Sequence, residues 1–242
     1  MPDTGPEQPS PYGGMAALVS RPGTTTTWLN HWSLLNADWQ ALSRLDLIGI
    51  DGTLLQMLLA ASGATVKRSS ADLVLPAVLD GVDRVALVGA APGVAARAAR
   101  RLAPREVLAV DGFGELRALR ADMTPLVDFD PTLVVVGLGA GLQDAVAHEI
   151  STALPGAAVC TAGGWIDQYA AAADDYFPAW VHALRLGWAW RIAHEPRRLI
   201  GRYTVDALRF LLAAPVLLRR LKALGSVQEW GVCLTTGDAK PQ

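Results

Sequence analysis

The stretch that decides the fold is Thr132-Leu133-Val134-Val135-Val136-Gly137-Leu138-Gly139-Ala140-Gly141-Leu142-Gln143-Asp144. Leu133 to Val136 is apolar without alternation and stops at a glycine, the pattern of a parallel strand buried on both faces. Gly137, Gly139 and Gly141 let the backbone turn tightly and approach a ligand. From Leu142 onward the spacing predicts a helix over 142–153, whose free amides face the crevice at the strand's carboxyl end, where open α/β sheets bind ligands. A phosphate suits that place. A plain tight turn from strand to helix is the competing account of the same glycines.

Outward from this unit the same alternation repeats. Strands are expected at 45–50, 84–89, 107–110, 133–136 and 157–161, and helices at 53–62, 71–79, 93–102, 115–122 and 142–153. Such an order predicts an α/β fold: a Rossmann-like, mostly parallel sheet with helices on both faces. Residues 1–27 are rich in Pro, Gly, Ser and Thr and read as a disordered tail, and 28–190 as the Rossmann-like catalytic domain. From Tyr169 the pattern turns helical, with a basic helical appendage at 191–225. Residues 226–242 read as a C-terminal tail in which Trp230 to Leu234 is the one candidate for a short strand.

The 242 residues are 51% hydrophobic and 18% charged, which permits a sizeable core and excludes a largely disordered chain. Cys160 and Cys233 stand far apart with no metal-ligand spacing, so neither a disulfide framework nor a zinc site is implied. A reduced cytoplasmic setting fits, and no signal peptide is recognisable at the N-terminus. The net charge of −2 conceals an asymmetry. From Arg191 to Gly225 there are eight Lys or Arg against two acidic residues, whereas the remainder carries 13 basic and 21 acidic residues. That basic end is a candidate surface for phosphate or for the inner face of the plasma membrane. Its longest uncharged apolar run, Phe210 to Leu218, is well short of the roughly 20 residues that cross a bilayer. An amphipathic helix packed on the domain with a solvated Arg face explains the same residues.

Several short motifs fall in a telling order. Ile50-Asp51-Gly52 is followed by Arg68 and Asp72-Leu73, then by Val88-Gly89-Ala90-Ala91-Pro92-Gly93-Val94 and Asp111-Gly112-Phe113. After the glycine-rich strand end with Gln143-Asp144 come Gly163-Gly164-Trp165-Ile166-Asp167, Trp188-Ala189-Trp190-Arg191 and Glu195-Pro196-Arg197-Arg198. In that order, over roughly residues 30–210, the chain resembles the WecG/TagA/CpsF glycosyltransferases, also called glycosyltransferase family 26.

The resemblance implies an inverting, metal-independent transfer of an N-acetylmannosamine-like sugar from a UDP donor to a lipid-diphosphate-linked or other hydroxyl acceptor, with no cofactor besides the donor. Such a reaction needs a base for the acceptor hydroxyl and stabilisation of the departing diphosphate. Asp51 matches the family's catalytic aspartate. Phe113 stands for the tyrosine that packs on the uracil and keeps its stacking face. Asp167 matches the aspartate that hydrogen-bonds the base. Gln143 matches the glutamine of Pro-Lys-Gln-Glu, Asn30 an early asparagine of the pocket, and Arg68 an arginine of the Arg-x-x-Gly-x-Asp-Leu element. Arg191, Arg197, Arg198 and Arg202 match appendage arginines suited to a diphosphate. Each of these residues also has an ordinary structural reading: an Asp-Gly turn or helix cap, a core Phe, a surface Gln, solvated helix charges.

Departures from the pattern open a second reading. Pro-Lys before the glutamine has become Gly141-Leu142, Lys-Arg-Ala-Pro has become Asp175-Tyr176-Phe177-Pro178, and Leu-Glu-Trp has become Leu186-Gly187-Trp188. Cationic groups have gone and an acidic one has appeared, which disfavours a diphosphate acceptor or an acidic sugar. The alternative is the same fold redeployed on a small-molecule substrate in specialised, natural-product biosynthesis, with or without sugar transfer. The pair Asp174-Asp175 takes the place of a basic pair in the family and is not read as a metal site. His31, His148, His182 and His194 lack ligand spacing, and the basic residues lack interleaved aromatic platforms for nucleic acid.

Overall fold

The computed structural model describes residues 10–171, 201 and 204–234. An eight-stranded sheet forms the centre, in the order β4-β3-β5-β6-β1-β2-β8-β7. Its strands are β1 (Thr25–Leu29), β2 (Leu47–Ile50), β3 (Arg84–Gly89), β4 (Glu106–Val110), β5 (Leu133–Gly137), β6 (Ala158–Thr161), β7 (Gly225–Gln228) and β8 (Gly231–Leu234). Strands β1 to β6 are mutually parallel, β8 runs antiparallel to β2, and β7 closes a hairpin with β8. This is the expected mostly parallel α/β sheet. The apolar runs sit where two-sided burial requires them: Val85 to Val88 and Leu133 to Val136 are fully buried.

Helices cover both faces. On one lie α1 (Gly13–Val19), α5 (Ala71–Leu79), α6 (Val94–Arg101) and α10 (Trp165–Ala171), packed over Trp28, Leu47, Val85, Leu87, Leu133, Val135 and Cys160. The other face carries two separate apolar clusters. One lies beneath α7 (Gly114–Ala121), α8 (Thr124–Phe129) and α9 (Leu142–Ala153) over Val88, Val134, Val136 and Val159. The second lies beneath α2 (His31–Leu35), α4 (Thr53–Ala61) and the long helix α11 (Val205–Leu224) over Leu29, Ile48 and Ile50. The short helix α3 (Trp39–Leu42) joins α2 to β2. The chain leaves β3 through α6 toward β4 and leaves β5 through α9 toward β6, so the order reverses between β3 and β5. Ligand crevices form where neighbouring connections part in this way.

The expected N-terminal tail is corrected, and the strand candidate near the C-terminus forms as one arm of a hairpin. The stretch 13–27 is helix and strand, not tail. Met15 and Val19 of α1 are fully buried against the sheet, and Thr25 to Thr27 form a buried parallel strand. The Thr run looked like linker because its polarity outweighed its β-branching, which in this setting favours a strand. At the other end residues 225–234 form the hairpin that extends the sheet, with Trp230 buried against Tyr12 at 6.2 Å between ring centroids. Among the described residues no helix is long and apolar enough to cross a membrane.

Candidate functional site

Six parallel strands deliver their carboxyl ends to one edge, and the motif residues follow those ends. Paired positions Leu29 and Ile50 end β1 and β2, so Asn30 and Asp51 emerge side by side on strands about 4.8 Å apart. The Asp51 amide donates to the Leu29 carbonyl at 2.8 Å. Asp51 is half-buried at the lip of the crevice. Gly52 follows with φ +87, and a Cβ there would lie 3.2 Å from the Asn30 Cβ. Asn30 itself caps α2: its Oδ1 accepts from the amides of Trp32 and Ser33, each at 3.0 Å, while its own amide donates to Ser33 Oγ at 2.8 Å. The capping box fixes the exit of β1.

Arg68 comes back to the same place. The Ser69 amide donates to the Ile50 carbonyl at 2.8 Å, and Trp28 Nε1 donates to Ser69 Oγ at 3.1 Å, which holds the 68–69 backbone against the end of β2. The Arg68 Nε is buried without a hydrogen-bond partner among the described residues. Gln143, in the first turn of α9, is only 5% exposed, and its Oε1 likewise has no partner among them. Its burial corrects the reading of a surface glutamine. Thr25, Thr26, Ser70 and Arg84 carry such atoms as well, and those of Arg68 and Gln143 stand at the carboxyl edge, where a ligand could complete them.

The other half of the edge is held by backbone. The Ala90 amide donates to the Gly137 carbonyl at 3.0 Å, and the Gly112 amide to the Ala90 carbonyl at 2.8 Å, tying the loops after β3, β4 and β5 together. Gly89 is at φ +138, and a Cβ on it would fall 2.1 Å from the Gly137 carbonyl oxygen. Beyond these loops Asp111 Oδ1 accepts from the Phe113 amide at 2.7 Å, and Glu115 Oε2 accepts from the Asp111 amide at 2.7 Å. The turn presents Phe113 to solvent, 63% exposed. Phe113 also heads an open groove between α7 and α9 lined by Arg117, Arg120 and Glu149, the last two joined as a bidentate ion pair. Asp167 lies exposed in the first turn of α10, after β6. Strands β4 and β2 are five positions apart, so Phe113 and Asp51 bracket an edge about 24 Å long. Arg191, Arg197, Arg198 and Arg202 lie outside the described residues.

A third group escaped sequence reading. Asp144 is 2% exposed, Thr27 is fully buried and Thr161 is 1% exposed. Thr27 Oγ1 donates to Asp144 Oδ1 at 2.7 Å and lies 2.7 Å from Thr161 Oγ1. Because the single Thr27 proton goes to the carboxylate, Thr161 is the donor in the second bond. Burial pushes the Asp144 carboxyl up to about 6; hydrogen bonds from Thr27 and from the Gly141 backbone oppose the shift, and Asp38 adds to it. Only the adjacency to Gln143 hinted at this residue. Cys160, by contrast, is fully buried in the sheet with its thiol pushed up to about 12, which makes it an inert packing residue. Among the described residues no cluster of three or more His, Cys, Asp or Glu is arranged to hold a metal ion.

A comparison with known families matches residues 15–224 to the description "Glycosyl transferase WecG/TagA/CpsF family". The chain belongs to this family. No curated protein matches the chain. The match runs from Met15 in α1 to Leu224, the last residue of α11, so the β7–β8 hairpin extends the sheet beyond the matched region. Membership in the WecG/TagA/CpsF family makes glycosyl transfer the activity, with a nucleotide-sugar donor and an acceptor as its substrates.

Proposed function

We propose that the protein is a metal-independent, inverting glycosyltransferase that moves an N-acetylmannosamine-like sugar from a UDP donor to a hydroxyl acceptor. The observation that carries this reading is the placement of Asp51, Arg68 and Gln143 along one carboxyl edge of the sheet, with buried atoms on Arg68 and Gln143 that have no partner among the described residues. In the reaction the acceptor oxygen attacks the anomeric carbon as its proton passes to the Asp51 carboxylate. The new carbon–oxygen bond forms on the face opposite the diphosphate, and the old one breaks with its electron pair leaving on UDP. Arg68 and the α9 amides stabilise that negative charge in this reading, since Arg and helix N-termini both suit phosphate oxygens. Phe113 stacks on the uracil, Asp167 accepts from it, and Arg191, Arg197, Arg198 and Arg202 supply further positive charge.

Contact with an anionic membrane from the cytoplasmic side accords with α11. Val205, Leu208, Leu212 and Val216 are exposed along it, beside the exposed Arg209, Arg219 and Arg220. Flotation with anionic vesicles, weakened by salt, is the expected outcome for the full chain.

A second reading is favoured by Leu142, which is 44% exposed at the start of α9 where family members carry a lysine. An apolar side chain there suits a neutral small-molecule acceptor of specialised biosynthesis better than a lipid diphosphate. Purified protein incubated with UDP-sugars and no divalent ion is expected to release UDP slowly and faster with a cognate acceptor. Asp51→Asn should lower turnover on the order of 100-fold or more while UDP affinity measured by calorimetry stays within error. Full activity in Asp51→Asn excludes it as the base. Fast turnover of an acidic sugar onto a lipid-diphosphate acceptor excludes the second reading.

A further inference from the structure

The α9-bearing face of the sheet is not one dry core. Its two apolar clusters are separated across β6 and β1 by Thr161 and Thr27, with Asp144 above them. Apolar side chains of the same size would pack there without the desolvation cost of a carboxylate, and replacing buried ionic groups by hydrophobic ones is often stabilising. Stability therefore does not explain the arrangement. What the three residues join does. Asp144 lies in the first turn of α9, next to Gln143, so its bond to Thr27 holds that turn against β1. The same carboxylate accepts from Thr27, three residues before Asn30 on β1, and Thr27 accepts from Thr161, the last residue of β6 before the turn toward Asp167.

We infer that Asp144 is a positioning residue of the transfer site: its carboxylate fastens the turn carrying Gln143 to the strand ending at Asn30 and, through Thr27, to the strand leading to Asp167. The inference rests on the glycosyltransferase reading above for its catalytic consequence, but the tether itself stands on the hydrogen bonds. Asp144 does not face the reacting atoms; it acts through the backbone that presents Gln143. The chain of donors has one direction, Thr161 to Thr27 to Asp144, and ends on the Asp144 carboxylate. An asparagine of equal size at 144 can still accept from Thr27, whereas a valine at 27 keeps the shape of the side chain and cannot donate.

The test uses the full chain with three variants, Asp144→Asn, Thr27→Val and the double variant. Donor turnover and KM are measured together with amide hydrogen exchange across 137–145 and 161–168. Thr27→Val is expected to fold, to lose on the order of 10- to 100-fold in kcat with donor KM nearly unchanged, and to exchange faster in both segments, since small misplacement of a site residue costs rate before affinity; Asp144→Asn, which keeps an acceptor for Thr27, is expected to lose less. The double variant should be little worse than the worse single one, as for residues acting as one unit. A well-folded Thr27→Val protein with unchanged kcat overturns the inference. If the unmodified protein transfers no sugar from any donor, the functional reading fails by itself, and exchange decides for the tether: faster exchange in both segments supports it, and unchanged exchange overturns it.

Discussion

The two halves of the strand edge are built from different materials. After β3, β4 and β5 the loops are tied to one another by main-chain hydrogen bonds and by the absence of a side chain at Gly89, and the carboxylates of Asp111 and Glu115 close only the turn that leaves Phe113 projecting into solvent. After β6, β1 and β2 the edge is made of side chains: Asn30 as a cap, Asp51 at the lip, Arg68 folded back on β2, and Asp144 beneath. Backbone fixes shape and tolerates changes of side chain. Side chains supply charge and proton transfer, and there each replacement changes the chemistry.

The contrast predicts where the molecule breaks. Gly89→Ala is expected to be the most damaging change in the backbone half, costing on the order of 3 kcal/mol or more, because its Cβ would lie 2.1 Å from a carbonyl oxygen at a φ of +138. A denaturant midpoint close to that of the unmodified protein would show that the two strand ends can part freely.

The side-chain half should respond to pH. Asp144 has a folded-state value raised from 3.8 to about 6, so the folded protein binds its proton more tightly than the unfolded chain. The resulting stability is fully present below about pH 4 and is lost as pH rises through 6, at most on the order of 3 kcal/mol. Asp144→Asn lacks this loss, so its melting temperature should gain on that of the unmodified protein between pH 4 and pH 7. Parallel melting curves across that range would remove Asp144 as a buried titrating group.

Phe113→Ala tests the exposed end of the edge. UDP affinity should fall by about 1–3 kcal/mol with little change in stability, since the ring is mostly in solvent and base stacking has that worth. An unchanged affinity by calorimetry would move the nucleotide to the other half. Asn30→Ala should have the smallest effect, about 1 kcal/mol of stability from the lost cap, read by denaturation. If it instead abolishes activity in a stable protein, Asn30 meets substrate in addition to capping α2.

Much of this was legible in the residues alone. The strands after Arg84 and Leu133 and the helices Ala71–Leu79 and Leu142–Ala153 stand at the expected positions, because long apolar runs and caps report local structure directly. The segment 13–27 was not legible: Thr25 to Thr27 are polar by composition and become a central strand only when β6 and β2 flank them. The hairpin after α11 is similar, since its strands need β2 as a template.

The order of motifs by itself determined the family and put Asp51, Phe113 and Gln143 after strand ends and Gly89 at one, because strand-then-glycine-then-helix is a local signal. Only the tertiary structure decided which strands are neighbours. That choice sets Asn30 beside Asp51, folds Arg68 back onto β2, and buries Asp144 against Thr27 and Thr161, residues 117 and 134 positions apart in their contacts with Thr27. Pairings at such separations leave no periodic trace in a chain. They arise from sheet order, which is set by how whole helices and strands bury their apolar faces together.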